Sequence, residues 1–408
     1  MMSEIQSPAS RDWRWIVVLG VLLYAALVVT IASRGGHVAE QRLLQGLGVP
    51  ALEYPFMDMR GVAAWCDAWA AGKNPAVDQT WITLPDGTRQ TDFLMNYSPF
   101  VLDWRKLGLD EQHVTVWSIT LIALYLMALW FLCGECSMQR AFLWLLLVCS
   151  PISILVMERG NLDMLLFVLL VVALLLRKYP LVESGVILGA GLLKFFPIGA
   201  LTAPWREGGG RNRFAVILAG VGFAAFLFYL KSRLSAIGGS LAGQYQSSFG
   251  CVVTADLFHH YGFLTETGYQ LIRKVMVGLG IASVVSGGAA GLLSKGSFGK
   301  KLPERALHAF FLTAPIMVGL FVLGNQMDYK WIFFLPMVPA VLVLLESPCR
   351  TDASIARLWL GGILAYSFWT FFSDEGSLRN ALLKQAVMWG VMVLTAFLAG
   401  RLWKKEGV

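Results

Sequence analysis

Four places in this 408-residue chain carry residue types that could do chemistry inside otherwise apolar sequence. Asp58, in Tyr54-Pro-Phe-Met-Asp-Met-Arg60, stands just before an amphipathic stretch. A carboxylate there can take a proton from a hydroxyl, or it can simply cap a helix that begins at Met59. Glu158-Arg159-Gly160-Asn161-Leu162-Asp163 is wedged between two apolar runs. Three ionisable groups and an amide in such a position are costly unless they face water or pair, so this is either a working cluster or a polar turn closed by its own salt bridge. Lys194 sits between Leu193 and Phe195, and a lysine at mid-span costs about 2.5–3.5 kcal/mol. It either faces a cavity or an anion, or snorkels to the interface. The fourth place, Asn325-Gln-Met-Asp328-Tyr-Lys330, lies between two apolar runs and reads as a polar cluster or a solvated turn. Together these residues offer one candidate base and several cations, Lys194, Arg159, Lys330 and Arg60, able to steady a developing anion.

Other chemistries find little support. His259-His260 are adjacent and point in different directions, and Cys133-Gly-Glu-Cys136 has no second pair or nearby His to complete a zinc set. We therefore expect neither a metal nor another cofactor. No Walker A motif, dinucleotide glycine fingerprint, G-x-S-x-G elbow or HExxH occurs. An enzyme built on this chain would need a membrane-borne, already activated substrate.

The elements that must position these residues are membrane helices. Hydrophobic residues make up 57% of the chain and charged residues only 14%, against about 45–50% and 25% in soluble domains. That composition excludes a disordered regulator, a disulfide scaffold and a soluble enzyme with one anchor. The net charge of +7 does not indicate nucleic acid, because the positives stand at the ends of apolar segments, as topology in a bilayer requires. Runs of the roughly 20 apolar residues a span needs fall near 15–32, 113–133, 140–157, 162–176, 213–230, 273–293, 306–323, 331–346, 357–372 and 383–400. We expect an all-α polytopic membrane protein of about ten spans.

The segment 181–205 is of another kind. Gly185, Gly189 and Gly191 lead into Lys194-Phe-Phe-Pro197, and proline removes a backbone donor and breaks a helix. Arg177-Lys178 precede the segment and Arg206, Arg211 and Arg213 follow it. Both its ends then face the cytoplasm, and two short helices meeting at Lys194–Pro197 fit better than one straight span.

With the N-terminus inside, the cytoplasmic segments collect Arg11, Arg14, Arg140, Lys295, Lys300, Lys301, Arg305, Arg350, Arg357, Arg401, Lys404 and Lys405 besides those five, while the short opposite loops hold only Arg159, Lys330 and Arg379. Both termini are expected in the cytoplasm, with long outer loops at 33–112 and 231–272. In the first loop, Val62, Trp65, Cys66 and Trp69 share one helical face, and Gly72 with Asn74-Pro75 ends that helix. Leu43, Leu44 and Leu47 suggest another amphipathic turn. We expect these helices to lie on the membrane surface with Trp at headgroup level. Cys66 and Cys251 both fall outside, where pairing is open.

The order of these motifs resembles glycosyltransferase family 87 of the GT-C superfamily, the membrane enzymes that include polyprenol-phosphate-mannose-dependent mannosyltransferases. The likeness covers roughly 15–345 and rests on Asp58, Gly72-Lys-Asn74-Pro75, Tyr97-Ser-Pro99, Glu158-Arg-Gly-Asn161-Leu-Asp163-Met-Leu-Leu and Gly185-Val-Ile-Leu-Gly-Ala-Gly-Leu-Leu-Lys194-Phe-Phe-Pro197. Small residues followed by Lys, two bulky residues and Pro make the most specific element. Where some members carry a His-containing loop, this chain has Asp328-Tyr-Lys330.

The resemblance implies a GT-C-like module over 15–346, after a cytoplasmic N-terminus (1–14) and before a C-terminal hairpin and tail (347–408). It implies metal-independent, inverting transfer of a sugar, mannose or another hexose or pentose, from a polyprenyl phosphate to a lipid or glycan hydroxyl. Asp58 would be the base, and Lys194, Arg159, Lys330 and Arg60 would line the donor phosphate. Glu158, Asn161, Asp163, Asn74, Tyr97 and Asp328 would bind substrate. The family leans to a bacterial inner membrane with the site on the periplasmic face. A transporter or flippase is the main reading from another class, opposed by the absence of visible inverted repeats and by the rich first loop. An O-antigen ligase or polymerase would carry its rich loop late in the chain.

Overall fold

A computed structural model describes residues 12–91, 95, 97–134, 137–238, 248–294, 302–372 and 377–403, with backbone alone for 26–35, 91, 231–238 and 371–372. Arg11, Cys136, Lys295, Lys300, Lys301, Lys404 and Lys405 lie outside the described residues.

The protein is an all-α integral membrane protein. Six helices are long and apolar enough to cross a bilayer: Val114–Cys133, Gly210–Leu230, Glu266–Leu293, Glu304–Leu323, Asp328–Leu345 and Leu378–Trp403. The pair Met138–Val148 and Pro151–Glu158, bent by 53°, makes a seventh candidate when taken as one broken span; the bend falls where Ser150 caps the second helix ahead of Pro151. The difference from ten has a geometric origin. Asp163–Leu175, expected as a span, holds 13 residues, about 20 Å and well short of a 30 Å core; Pro180–Leu193, with 14, is the first half of the broken segment. The chain near 357–372 forms Arg350–Ser367, and Trp15–Ala25 is the described part of the first apolar helix. That first helix runs through Trp15–Gly46 with a kink at Gly36, so Leu43 and Leu44 continue it and Leu47 is its C-cap.

The segment 181–205 is broken at Lys194, as its sequence suggests. Pro180–Leu193 stops, Lys194 takes an extended backbone (φ −149°, ψ 126°), and a 3-10 turn, Phe196–Leu201, leads into Thr202–Glu207. Two ends of the bundle are thereby defined. One gathers Asp163, Leu193–Lys194 and the start of Asp328–Met337. The other holds the arginines, where Arg206 donates to the Leu402 carbonyl (2.8 Å), Arg305 to the Phe131 carbonyl (2.6 Å) and Arg401 to Asp352 (2.9 Å). His308 is fully enclosed there, with Nδ1 against Glu207 (2.6 Å) and Nε2 against Glu183 (2.5 Å).

Helix 378–403 packs along helix 266–293 closely enough that only glycine fits at the seam. A Cβ on Gly291 would stand 2.1 Å from the Phe397 carbonyl, and one on Gly400 would stand 2.1 Å from that of Gly288. Small residues that let backbones approach are the usual device for joining helices in lipid. The C-terminal hairpin is thus docked on the bundle.

Part of the long segment 33–112 packs inward. Helix Met57–Ala70 buries Val62, Trp65 and Cys66, leaving Trp69 exposed. The 3-10 helix Pro99–Leu107 covers the buried face, and the Cys66 thiol points at the Val101 carbonyl (3.2 Å). The stripe that suggested a headgroup-level helix is therefore mostly protein core. Cys66 and Cys251 are both free thiols.

Candidate active site

Asp58 is placed by an uncommon piece of backbone. Phe56 has φ +63°, the one non-glycine residue with positive φ among the described residues. Its N–H donates to the Glu158 carbonyl (2.7 Å), and the N–H of Asp58 donates to that of Arg159 (3.1 Å). The start of helix 57–70 is thus clamped to the turn after helix 151–158. Gly160 makes the approach possible: at φ +61° a Cβ would meet Ser118 Oγ at 2.7 Å and the Cβ atoms of Met59 and Phe56 at 3.2 Å. Holding a bulky residue at positive φ costs about 1–3 kcal/mol and persists where surrounding contacts over-determine it.

The Asp58 side chain, about one-quarter exposed at 23%, accepts a 2.6 Å bond from Asn161 Nδ2 on one oxygen. Arg159 lies 3.7 Å from the other and 3.4 Å from Glu158. Asn161 is buried, and its own carbonyl accepts from the Asp163 N–H (2.7 Å). That second bond fixes which way the amide points and directs its NH2 at Asp58. Asp163 in turn accepts from Lys194 Nζ (2.7 Å), which also donates to the Tyr97 hydroxyl (3.1 Å) and lies over the Tyr97 ring, 4.2 Å from its centroid. Tyr97 arrives because the Ser98 N–H donates to the Leu193 carbonyl (3.4 Å). The result is one hydrogen-bonded chain, Asp58–Asn161–Asp163–Lys194–Tyr97, drawn from four separate stretches of sequence.

Lys330 is buried on the same side. Its ammonium bonds Gln326, which the short ribbon between Ser248–Phe249 and Gln326–Met327 holds in place. Phe196 separates it from Lys194, with Lys194 5.9 Å and Lys330 5.5 Å from the ring centroid. The two ammonium groups repel one another across that ring. A lysine has three N–H donors and Lys194 spends two on Asp163 and Tyr97, so one remains to meet an anion.

Three expected residues stand elsewhere. Asn74 is exposed in a turn, where its backbone N–H donates to the Asp78 carboxylate (2.7 Å) and its side-chain oxygen accepts from the Ala76 N–H (3.2 Å). Arg60 donates to the Pro55 carbonyl (3.3 Å), and burial holds its guanidinium below the usual arginine range against the opposing pull of Glu111. Asp328 is buried and bonds Lys384 and Tyr366, a brace under the Lys330 turn. Beneath the site, burial pushes the Cys66 thiol up to about 12, and desolvation also raises Asp67 despite Arg105 at 2.6 Å.

Sequence reasoning passed over Phe196, Gln326 and Lys384. Phe196 lies inside a motif already singled out, and the signal was its adjacency to Lys194. For Lys384, a lone lysine in the apolar stretch 378–403 was signal enough. No family model, no curated protein and no solved structure matches this chain.

Proposed function

We propose that the protein is a membrane glycosyltransferase that moves a sugar from a polyprenyl phosphate to a lipid or glycan hydroxyl. The observation that carries this reading is the bonded chain joining the partly exposed carboxylate of Asp58 to the partly buried ammonium of Lys194. The resemblance of the Lys194-Phe-Phe-Pro197 and Glu158–Asp163 motifs to glycosyltransferase family 87 supports it, as does the lack of any motif for a soluble nucleotide donor.

The reaction balances on these residues. The acceptor hydroxyl gives its proton to the Asp58 carboxylate as its oxygen attacks the anomeric carbon. The bond from that carbon to the phosphate oxygen breaks, its electron pair leaves with the phosphate, and the configuration inverts. A phosphodiester monoanion becomes a phosphomonoester dianion, and Lys194, with Lys330 and Arg159 nearby, meets the added charge. Fixed donors aimed at developing charge in a water-poor site are the strongest device available for such a step. We place the site on the outer face of a bacterial inner membrane, with both termini and the arginine-rich end in the cytoplasm.

The test uses right-side-out and inverted vesicles supplied with radiolabelled polyprenyl-phosphate mannose, glucose and arabinose and a broad acceptor extract. We expect label to enter glycolipid or glycan with one of the donors in right-side-out vesicles. No transfer from any donor in either orientation rejects the reading.

A further inference from the structure

His308 lies at the end of the bundle away from Asp58 and Lys194, and the reaction as drawn makes no use of it. Its side chain is 1% exposed, and each ring nitrogen faces a carboxylate oxygen: Nε2 that of Glu183 at 2.5 Å and Nδ1 that of Glu207 at 2.6 Å. A carboxylate only accepts, so both nitrogens donate and the ring is an imidazolium. Glu183 is fully buried, and among the described residues its second oxygen has no hydrogen-bond partner. Glu207 is one-third exposed and also accepts from Asn212 (3.4 Å). The neighbouring Arg206 is engaged elsewhere, on the Leu402 carbonyl (2.8 Å) and over the Phe311 ring (4.8 Å to its centroid).

The two carboxylates belong to the two limbs of the broken segment. Glu183 lies on Pro180–Leu193, which leads into Lys194, and Glu207 ends Thr202–Glu207, which leads away from it. His308 stands on helix Glu304–Leu323, and the second limb lies along that helix. The Thr202 hydroxyl reaches the Phe311 carbonyl (3.0 Å), and a Cβ on Gly199 would stand 3.5 Å from the Ile316 nitrogen. Beyond Leu323 the same stretch of chain turns through Gln326 to Lys330. It therefore carries Lys330 at one end and, through His308, the feet of both limbs at the other. Between the two ammonium groups stands Phe196, its ring edge-on to Phe333 at 5.4 Å. A buried ion pair is weak evidence for stability, because apolar residues of similar volume often do as well, but its charged hydrogen bonds are demanding of geometry.

We propose that His308 is a positioning residue for the leaving-phosphate cation: bonded at both ring nitrogens, it pins both limbs of the broken segment to helix 304–323 and so sets where Lys194 stands relative to Lys330. This rests on the glycosyltransferase reading.

The test separates position from stability. Glu183→Leu/His308→Leu replaces the buried pair with apolar side chains, and its thermal midpoint in detergent is expected to match wild type. Its kcat is expected to fall about 10- to 100-fold, and its binding of sugar-free polyprenyl phosphate to weaken about fivefold or more, as misplacing a cation from a distance would do. In a Lys194→Gln background the same leucine pair is expected to cost no more than about twofold in either quantity, because effects that run through one residue do not add. His308→Gln is measured in parallel by the same criteria, so that loss of fold in the leucine pair does not stop the test. Equal losses in both Lys194 backgrounds, or variants as active and as tight-binding as wild type, overturn the proposal. If wild type transfers no sugar yet binds polyprenyl phosphate, the transferase reading falls and the binding comparison alone upholds or overturns the role of His308. If wild type does neither, both fall.

Discussion

Asn161 shows how one amide can set the geometry of a site. Its carbonyl is occupied by the Asp163 N–H and its NH2 by Asp58, so it aligns the base and joins it to the residue that holds Lys194. Asn161→Ala removes both bonds and leaves a buried N–H on Asp163 with no acceptor. We expect a stability loss of about 1–3 kcal/mol, the usual cost of an unsatisfied buried group, measured by thermal unfolding in detergent. We also expect a kcat loss larger than this stability change alone accounts for at the assay temperature. Unchanged unfolding together with unchanged kcat would remove Asn161 from the chain. The same four residues were the most legible part of the sequence, because charged and amide groups inside apolar runs are costly enough to be conspicuous. What each of them touches was not legible, since Asp58 and Asn161 are 103 positions apart.

At the scale of elements, the site depends on apolar helices shorter than a full crossing needs. Asp163–Leu175 starts at the site and Pro180–Leu193 returns to it, and the extended residue at Lys194 aims the ammonium at Asp163 and Tyr97. The break itself was readable from three glycines and Pro197. The brace below Lys330 was not, because Asp328 and Lys384 come from different helices. Lys384→Met leaves the Asp328 carboxylate buried with Tyr366 as its remaining bonded partner here. Removing one member of a buried pair costs about 3–5 kcal/mol, which we expect to read as a marked drop in thermal midpoint. Combining it with Asp328→Leu, which removes the stranded charge, is expected to recover most of that loss. A double variant no more stable than Lys384→Met would mean the pair is not what fastens helix 378–403 to the Asp328–Met337 turn.

For the whole molecule, composition was decisive and counting was not. An apolar fraction of 57% identifies a membrane protein, but apolar runs such as 162–176 and 357–372 look alike whether the helix crosses, stops halfway or lies inside the bundle. Length alone separates these cases, and it is visible only once capping and breaks are known. The inward packing of helix 57–70 was hidden for a related reason: an amphipathic face can meet either lipid or another part of the chain, and here Pro99–Leu107 supplies the cover. The architecture that results puts Asp58, Asp163, Lys194 and Lys330 at one end and Arg206, Arg305 and Arg401 at the other. Its central claim is that Asp58 is the base of a sugar transfer whose leaving phosphate meets Lys194. The most direct measurement compares sugar transfer by vesicles carrying wild type and Asp58→Asn, with polyprenyl-phosphate binding measured in the same preparations. General-base removal should cut transfer about 10²- to 10⁴-fold, while binding stays within a few-fold of wild type. Equal transfer by both proteins would contradict the account.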